Sequence, residues 1–236
     1  MSVFRYRIIT NLHCNQSCSF CFQPLKDERV LALDDLKATL KKCKKLARAT
    51  IMGGESTLLP NLADYIREVK KKADIVCLVT NGTLLYQDNL LAYRDAGLDE
   101  IAISVSSMNQ YQTRKYQIHL ANQIIANCRV NIPKSPSSIG NKLYRLVDHI
   151  LGDDIGVVVC EDLMGRYGTF DFEGGMGAKL VRDDGHNFLT YEHNGKEFGL
   201  FAHFSGYDKT DIIITPLGNF SVWGDYCKAV GNGDLE

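Results

Sequence analysis

No apolar run in the 236 residues is long enough to span a bilayer. The opening stretch, Met1–Thr10, carries Arg5 and Arg7 between hydrophobics and has no signal-peptide core. An excess of one charge is also missing. The 27 Lys and Arg against 28 Asp and Glu leave a formal charge of -1, which gives no reason to expect nucleic acid or a membrane surface as partner. There is no low-complexity tract and no internal repeat beyond alternating strand and helix patterns. No second close cysteine pair and no Cys/His knuckle is present, so the paired knuckles that build most zinc sites are lacking. What remains is an ordinary globular composition, 45% hydrophobic and 23% charged. The length suits one large α/β domain, or a domain with a small extension. With no secretory signal, the eight cysteines belong to a reducing cytoplasm, where metal binding or catalysis is expected before disulfides.

Three of those cysteines sit in eight residues: Cys14-Asn15-Gln16-Ser17-Cys18-Ser19-Phe20-Cys21. Thiolates so spaced can close round one small site. Tetrahedral zinc would want a fourth protein ligand. Iron–sulfur clusters are held by cysteines at short spacings of this kind, and three thiolates leave one iron of a four-iron cluster open to a non-protein ligand. The plain alternative is a set of buried thiols, a common fate of free cysteine that is seldom clustered in one turn. Cys43, Cys77, Cys128 and Cys160 lie singly within helix or strand patterns and read as core.

Along the chain, strand and helix signals alternate. Phe4–Thr10 reads as a strand. Asp34 is the expected N-cap of a helix carrying Leu36, Leu40, Cys43 and Ala47 on one face, with its lysines late, where cations suit the dipole. Ala49–Met52 is a strand running into Gly53-Gly54-Glu55-Ser56. Asn61 caps a helix that buries Leu62, Tyr65, Ile66 and Val69. Strands are expected at Asp74–Thr80, Glu100–Val105, Arg129–Ile132 and Ile155–Cys160. Helices are expected from Gln87 to the glycine stop at Ala96-Gly97, at Ile118–Asn127 and at Asn141–Leu151. Six strands alternating with helices imply parallel βαβ units, whose sites gather at the carboxyl ends of strands. Gly53-Gly54-Glu55, Thr80-Asn81, Ser104, Ser106 and Asn131 stand at such ends.

Together, Arg7-Ile8-Ile9-Thr10-Asn11-Leu12-His13 and the C-x3-C-x2-C that follows resemble the opening of radical S-adenosylmethionine (radical SAM) enzymes. The nearest branch contains the GTP-cyclising enzyme of molybdenum-cofactor biosynthesis. The resemblance implies an open, partial (β/α)6 barrel over residues 1–160, one [4Fe-4S] cluster on Cys14, Cys18 and Cys21, and bound S-adenosylmethionine. Gly53-Gly54-Glu55-Ser56 resembles the family's G-G-E-P, whose backbone and acid meet the methionine amino group; Ser56 replaces the proline. Thr80 and Asn81 would lie near the methionine carboxylate. Ser104, Ser106 and Asn131 would contact the ribose or carboxylate, and Phe20 would flank the adenine. The relatives commonly carry Asp where Ser106 stands.

After Cys160 the texture changes. Residues 161–236 are glycine-rich and then hairpin-like. Asn187–Glu192 and Lys196–Phe204 flank the turn Asn194-Gly195, and Asp211–Thr215 and Asn219–Trp223 flank Pro216-Leu217-Gly218. This part is expected to be an antiparallel β extension closing the open barrel. Only Cys227 lies there, so a second cluster is not expected and the cyclase activity does not carry over. Glu161, Asp162, Arg166, Tyr167 and His203 are candidates to meet substrate. His186, His193 and His203 with Asp183 and Asp184 could bind a metal, although turn and surface roles suit them better. Two classes stay open. One is a radical SAM enzyme acting on a small, nucleotide-like molecule or a ribosomal peptide, reduced by a donor such as flavodoxin or ferredoxin. The other is a zinc-binding interaction protein. No peptide-recognition segment precedes Cys14, which favours the small molecule.

Overall fold

The computed structural model describes residues 5–160, 170–184, 188–201, 211–221 and 223–231. Its first part is a run of βα units: β1 (Arg5–Ile9), the cysteine loop, α1 (Leu33–Lys42), β2 (Leu46–Met52), α2 (Leu62–Lys70), β3 (Ala73–Thr80), α3 (Gln87–Asp95), β4 (Glu100–Ser104), α4 (Met108–Ile124), β5 (Asn127–Pro133), α5 (Gly140–Gly152) and β6 (Gly156–Cys160). Each helix turns apolar side chains at three- and four-residue spacing onto the sheet: Leu36 and Leu40, then Leu62, Tyr65, Ile66 and Val69, then Leu143, Leu146, Val147 and Ile150. The strands alternate in response. In β2, Leu46, Ala49 and Ile51 are buried in that core, while Arg48 and Thr50 face the other side and line a cavity. α3 ends at Gly97, whose φ of +99° stops the helix at a position L-residues avoid.

Several boundaries differ from the sequence expectation. α1 ends at Lys42, so Cys43 is its C-cap and Ala47, expected on its face, lies in β2, which starts at Leu46 and not at Ala49. α4 ends at Ile124, and Asn127 opens β5. Ala32, not Asp34, is the N-cap of α1; Asp34 falls in the first turn, where it complements the helix dipole. α4 starts at Met108, ten residues before the expected Ile118, because Ser107 caps it by accepting from the Gln110 N–H. Trp223 opens a helix instead of closing a hairpin.

The later elements are α6 (Phe172–Met176), β7 (Lys179–Asp183), β8 (Phe188–His193), β9 (Lys196–Phe201), β10 (Asp211–Thr215), β11 (Gly218–Phe220) and α7 (Trp223–Ala229). Both expected hairpins are present. β8 and β9 meet across Asn194-Gly195, with φ of 52° and 76°, and β10 and β11 meet across a tight turn. Their placement divides the extension between the two margins of the βα sheet. β9 lies parallel beside β6, and β10 lies parallel beside β1. The sheet therefore runs β11-β10-β1-β2-β3-β4-β5-β6-β9-β8-β7, with an antiparallel margin at each end. Among the described residues, no pairing joins β11 to β7. No described helix is long and apolar enough to cross a membrane.

Candidate active site

The cysteine loop leaves β1 through three buried polar contacts. The Thr10 hydroxyl donates to Ser56 Oγ at 2.8 Å, so the serine standing where the resembling motif has proline ties the loop after β2 to the end of β1. The Asn11 amide donates to the His13 and Glu55 carbonyls, both at 3.0 Å. Backbone bonds from Gly54 N–H to Asn11 O and from Glu55 N–H to His13 O, each 2.8 Å, zip the two loops together. The two glycines serve this approach. A Cβ at Gly54 would stand 1.9 Å from the His13 carbonyl oxygen, and one at Gly53 would stand 2.6 Å from Asn11 Oδ1. What comes close to Gly53-Gly54 is the chain's own backbone, where the sequence suggested a ligand.

Glu55 is buried and caps the short turn after it. Its Oε1 accepts from the Thr57 N–H (3.1 Å), the Thr57 hydroxyl (2.6 Å) and the Thr80 hydroxyl (2.6 Å); its Oε2 accepts from the Asn81 N–H (2.6 Å). One carboxylate thus fixes the ends of β2 and β3 relative to each other. The Asn81 side chain continues the chain of contacts, donating to Asn15 Oδ1 at 2.8 Å inside the cysteine loop.

The three thiols are free, and a tight turn joins them, with Cys21 N–H donating to Cys18 O at 3.1 Å. Burial raises the pKa of Cys18, and the neighbouring Cys21 and Cys14 raise it further, while Lys26 and Arg114 pull the other way. Three thiols this close in one loop form a donor set suited to a cationic group that holds them together as thiolates. Among the described residues no three His, Cys, Asp or Glu side chains are set to hold a metal ion. The thiols instead rim a cavity, an arrangement suited to a polynuclear body with several atoms between its ligands. His193 and Asp183 form no such group either: His193 Nε2 faces Asp148 at 3.4 Å. Glu161, Asp162, Arg166, Tyr167, His186 and His203 lie outside the described residues.

That cavity, about 630 Å³, gathers most of the residues singled out from the sequence. Cys14, Cys18, Phe20 and Cys21 line it from the loop after β1. Gly53, Gly54 and Glu55 come from the end of β2, Thr80 and Asn81 from β3, Ser104 from β4 and Asn131 from β5. Ser106 is not among them. It is buried, its N–H and hydroxyl engage Gln110 Oε1, and it borders a smaller groove on the outer side of the cysteine loop. Cys160, expected in the core, lines the cavity at the end of β6, with burial pushing its thiol up to about 11.

Sequence reasoning missed the cavity's charge. Six cations line it, namely Arg7, Lys26, Arg48, Arg114, Arg129 and Lys134, against the carboxylates of Glu55, Glu100 and Asp184. Arg48 and Arg129 both pair with Glu100, the latter at 2.7 Å, in the cavity wall. Arg114 is buried, donates to the Ser104 carbonyl at 2.8 Å and is felt by Cys18 and Glu55. Lys134, also buried, rests over the Phe170 ring at 4.1 Å. The signal was legible: Arg48, Glu100 and Arg129 stand in mostly apolar strands at positions of one parity with Thr50, Ser104 and Asn131.

Comparison with known proteins agrees with this geometry. The model of the Radical SAM superfamily matches residues 8–130. An S-adenosylmethionine-dependent nucleotide dehydratase of Flammeovirga pacifica is 33% identical over 229 residues, covering 88% of this chain and 78% of that protein. A GTP 3',8-cyclase of Aquifex aeolicus is 31% identical over 119 residues, covering 46% of this chain and 37% of the cyclase, so the match spans well under half of that relative. Among solved structures, Streptococcus suis SuiB bound to the precursor peptide SuiA superposes with a TM-score of 0.68 at 14% identity, over 99% of this chain and 62% of SuiB. That likeness shows a shared fold.

Proposed function

Because the chain belongs to the radical SAM superfamily, whose members use a [4Fe-4S] cluster and S-adenosylmethionine, we propose that Cys14, Cys18 and Cys21 hold such a cluster and that the chain acts on an anionic, nucleotide-like small molecule in the cavity beside it. The observation that carries this reading is the shared cavity: the three thiols, the Gly53–Glu55 loop and the ends of β3, β4 and β5 all open onto it, under an excess of cations. Held by Cys14, Cys18 and Cys21, the cluster would pass on an electron from an external donor, and S-adenosylmethionine beside it would supply the hydrogen-abstracting chemistry.

The chain's own residues divide the remaining work. The cavity-facing edge of Gly53–Glu55, with Thr80 and Asn81, receives the methionine end of S-adenosylmethionine. Ser104 and Asn131 receive its ribose, and Phe20 flanks its adenine. Arg7, Arg48, Arg129 and Lys134 supply the field and donors for the substrate's anionic group, as arginine forks match phosphate and carboxylate. All eight cysteines are free, which suits a reducing cytoplasm and a flavodoxin- or ferredoxin-type donor.

A peptide substrate is a second reading. It is favoured by β7, the outer strand of the sheet, whose residues are all exposed, Leu180 and Val181 among them. Such an edge can accept an added strand. Anaerobic reconstitution followed by iron and sulfide analysis tests the cluster, with about four of each expected per chain. Formation of 5'-deoxyadenosine in the presence of dithionite, stimulated by nucleoside triphosphates, supports the nucleotide reading. Stimulation by peptides alone would replace it, and zinc without iron or cleavage would discard the enzyme altogether.

A further inference from the structure

We infer that Tyr226, on α7 near the far end of the chain, is a positioning residue for the cysteine loop, and that it acts through Gln23 on Cys21. The inference rests on the reading of Cys21 as a cluster ligand. Gln23 is fully buried two residues after that thiol, and each polar atom of its amide has a partner. Its Oε1 accepts from the Tyr226 hydroxyl at 2.7 Å, and its Nε2 donates to the Leu12 carbonyl at 3.1 Å. Its backbone N–H points at Cys21 Sγ at 3.4 Å, and its carbonyl accepts from that thiol at 3.3 Å. One residue therefore joins the start of the cysteine loop and α7 through its side-chain amide, and the last cysteine through its backbone.

The helix holds the loop by other contacts as well. Leu25 N–H donates to the Val230 carbonyl at 3.1 Å. Phe22 packs on Trp223 at 5.2 Å between ring centres and on Tyr226 at 6.4 Å. These rings belong to a small apolar cluster with Ile9, Leu12 and Ile213, separate from the main core. Burial, with Cys227 and Cys21 nearby, drives the Tyr226 pKa upward and keeps its hydroxyl a neutral donor. When Cys21 ionises to bind metal, its own S–H donation to Gln23 is lost. The Gln23 N–H and Lys26 Nζ, at 3.3 Å, remain as donors to the sulfur. Donors to a ligating sulfur set both its geometry and the potential of the group it binds. Tyr226→Phe keeps the ring and leaves Gln23 Oε1 buried without its donor; the side-chain amide can then turn and release Leu12, which frees the Gln23 backbone to shift away from Cys21.

The experiment uses the full-length protein without metal and measures carboxymethylation of Cys14, Cys18 and Cys21 separately by mass spectrometry. In Tyr226→Phe, Cys21 is expected to react several-fold faster, with Cys14 unchanged. Ile213→Val is the control, loosening the same apolar cluster without touching Gln23, and it should leave the ratio of the three rates at the wild-type value. After reconstitution, Tyr226→Phe should keep its iron count while the electron paramagnetic resonance signal and midpoint potential of the reduced cluster shift. A wild-type Cys21 rate in Tyr226→Phe, or an equal rise at all three thiols in both variants, overturns the inference. If the wild type takes up no iron, the cluster reading fails alone, since the thiol rates still decide whether Tyr226 positions Cys21.

Discussion

Replacing Gly54 with alanine should be among the most damaging single-methyl changes in the chain. The added Cβ would sit 1.9 Å from the His13 oxygen and 2.4 Å from its carbon, so the two backbones must separate by more than an ångström. Separation breaks the Gly54–Asn11 and Glu55–His13 hydrogen bonds, both 2.8 Å. Two such bonds are worth about 0.5–1.5 kcal/mol each. Overpacking that remains after relaxation costs about 1–3 kcal/mol. Against this, alanine lowers the entropy of the unfolded chain, a gain of about 0.4–1 kcal/mol. The steric and hydrogen-bond terms win, leaving a net loss of about 1–5 kcal/mol. Gly152, the last residue of α5, supplies the control, because a Cβ there meets nothing within 4 Å. Gly152→Ala should be neutral or stabilising by up to about 1 kcal/mol. The assays are urea unfolding of the metal-free protein and the iron content after reconstitution. Gly54→Ala should lower the urea midpoint and load less iron, because the loop it displaces carries Cys14. An unchanged midpoint with full iron would refute the account of the glycine pair.

Cys18→Ala should abolish iron uptake while Cys43→Ala leaves it intact; normal loading of the first variant removes the cluster assignment. Glu55→Gln should weaken S-adenosylmethionine binding in equilibrium dialysis without lowering the iron count, and it should also lower the urea midpoint, because Glu55 joins β2 to β3. Burial works to raise the Glu100 pKa, but hydrogen bonds and charge from Arg48 and Arg129 hold it below the ordinary glutamate value. Its stabilising contribution is therefore full above that ordinary value and fades as pH falls through the depressed one. Glu100→Gln should be less stable than wild type at neutral pH, with the gap closing in acid; a gap independent of pH would contradict the pairing. At pH 8, Cys128 and Cys160, with thiols pushed up to about 12 and about 11 by burial, should label with iodoacetamide far more slowly than Cys14.

The βα core was legible because each helix repeats its apolar residues at helical spacing and each strand end is marked by small polar residues. Leu62, Tyr65, Ile66 and Val69 are buried as their spacing requires, and Gly97 stops its helix as expected. Local pattern cannot report pairings between distant segments. The division of the extension between β1 and β6 depends on such pairings, so two hairpins that look alike in sequence lie at opposite margins of the sheet. The start of α4 was missed because its first turns, Met108–Gln117, are mostly polar, while their capping Ser107 reads as one more loop serine. At the site, the clustered cysteines and the Gly-Gly-Glu loop were plain. The roles of Thr10, Asn11 and Ser56 were not, since each depends on a neighbour more than forty positions away. Arg114 and Lys134 were hidden for a related reason. Only the folded chain turns a helix arginine and a loop lysine into the same cavity.

The seat of β1 between β2 and β10 has a consequence for the order in which the protein is made. Synthesis proceeds from N- to C-terminus, so β1 leaves the ribosome before β2 and β10 and is among the last strands to gain both of its neighbours. Until residues 211–231 emerge, β1 offers an unpaired edge, and the cysteine loop lacks the helix against which Phe22 and Gln23 rest. Parallel pairing between segments this far apart is slow to form even in a free chain. The loop carrying Cys14, Cys18 and Cys21 therefore gains the helix that packs against it only once α7 has been made. Ending the chain before α7 would spare the βα units and still remove the partners of Phe22 and Gln23.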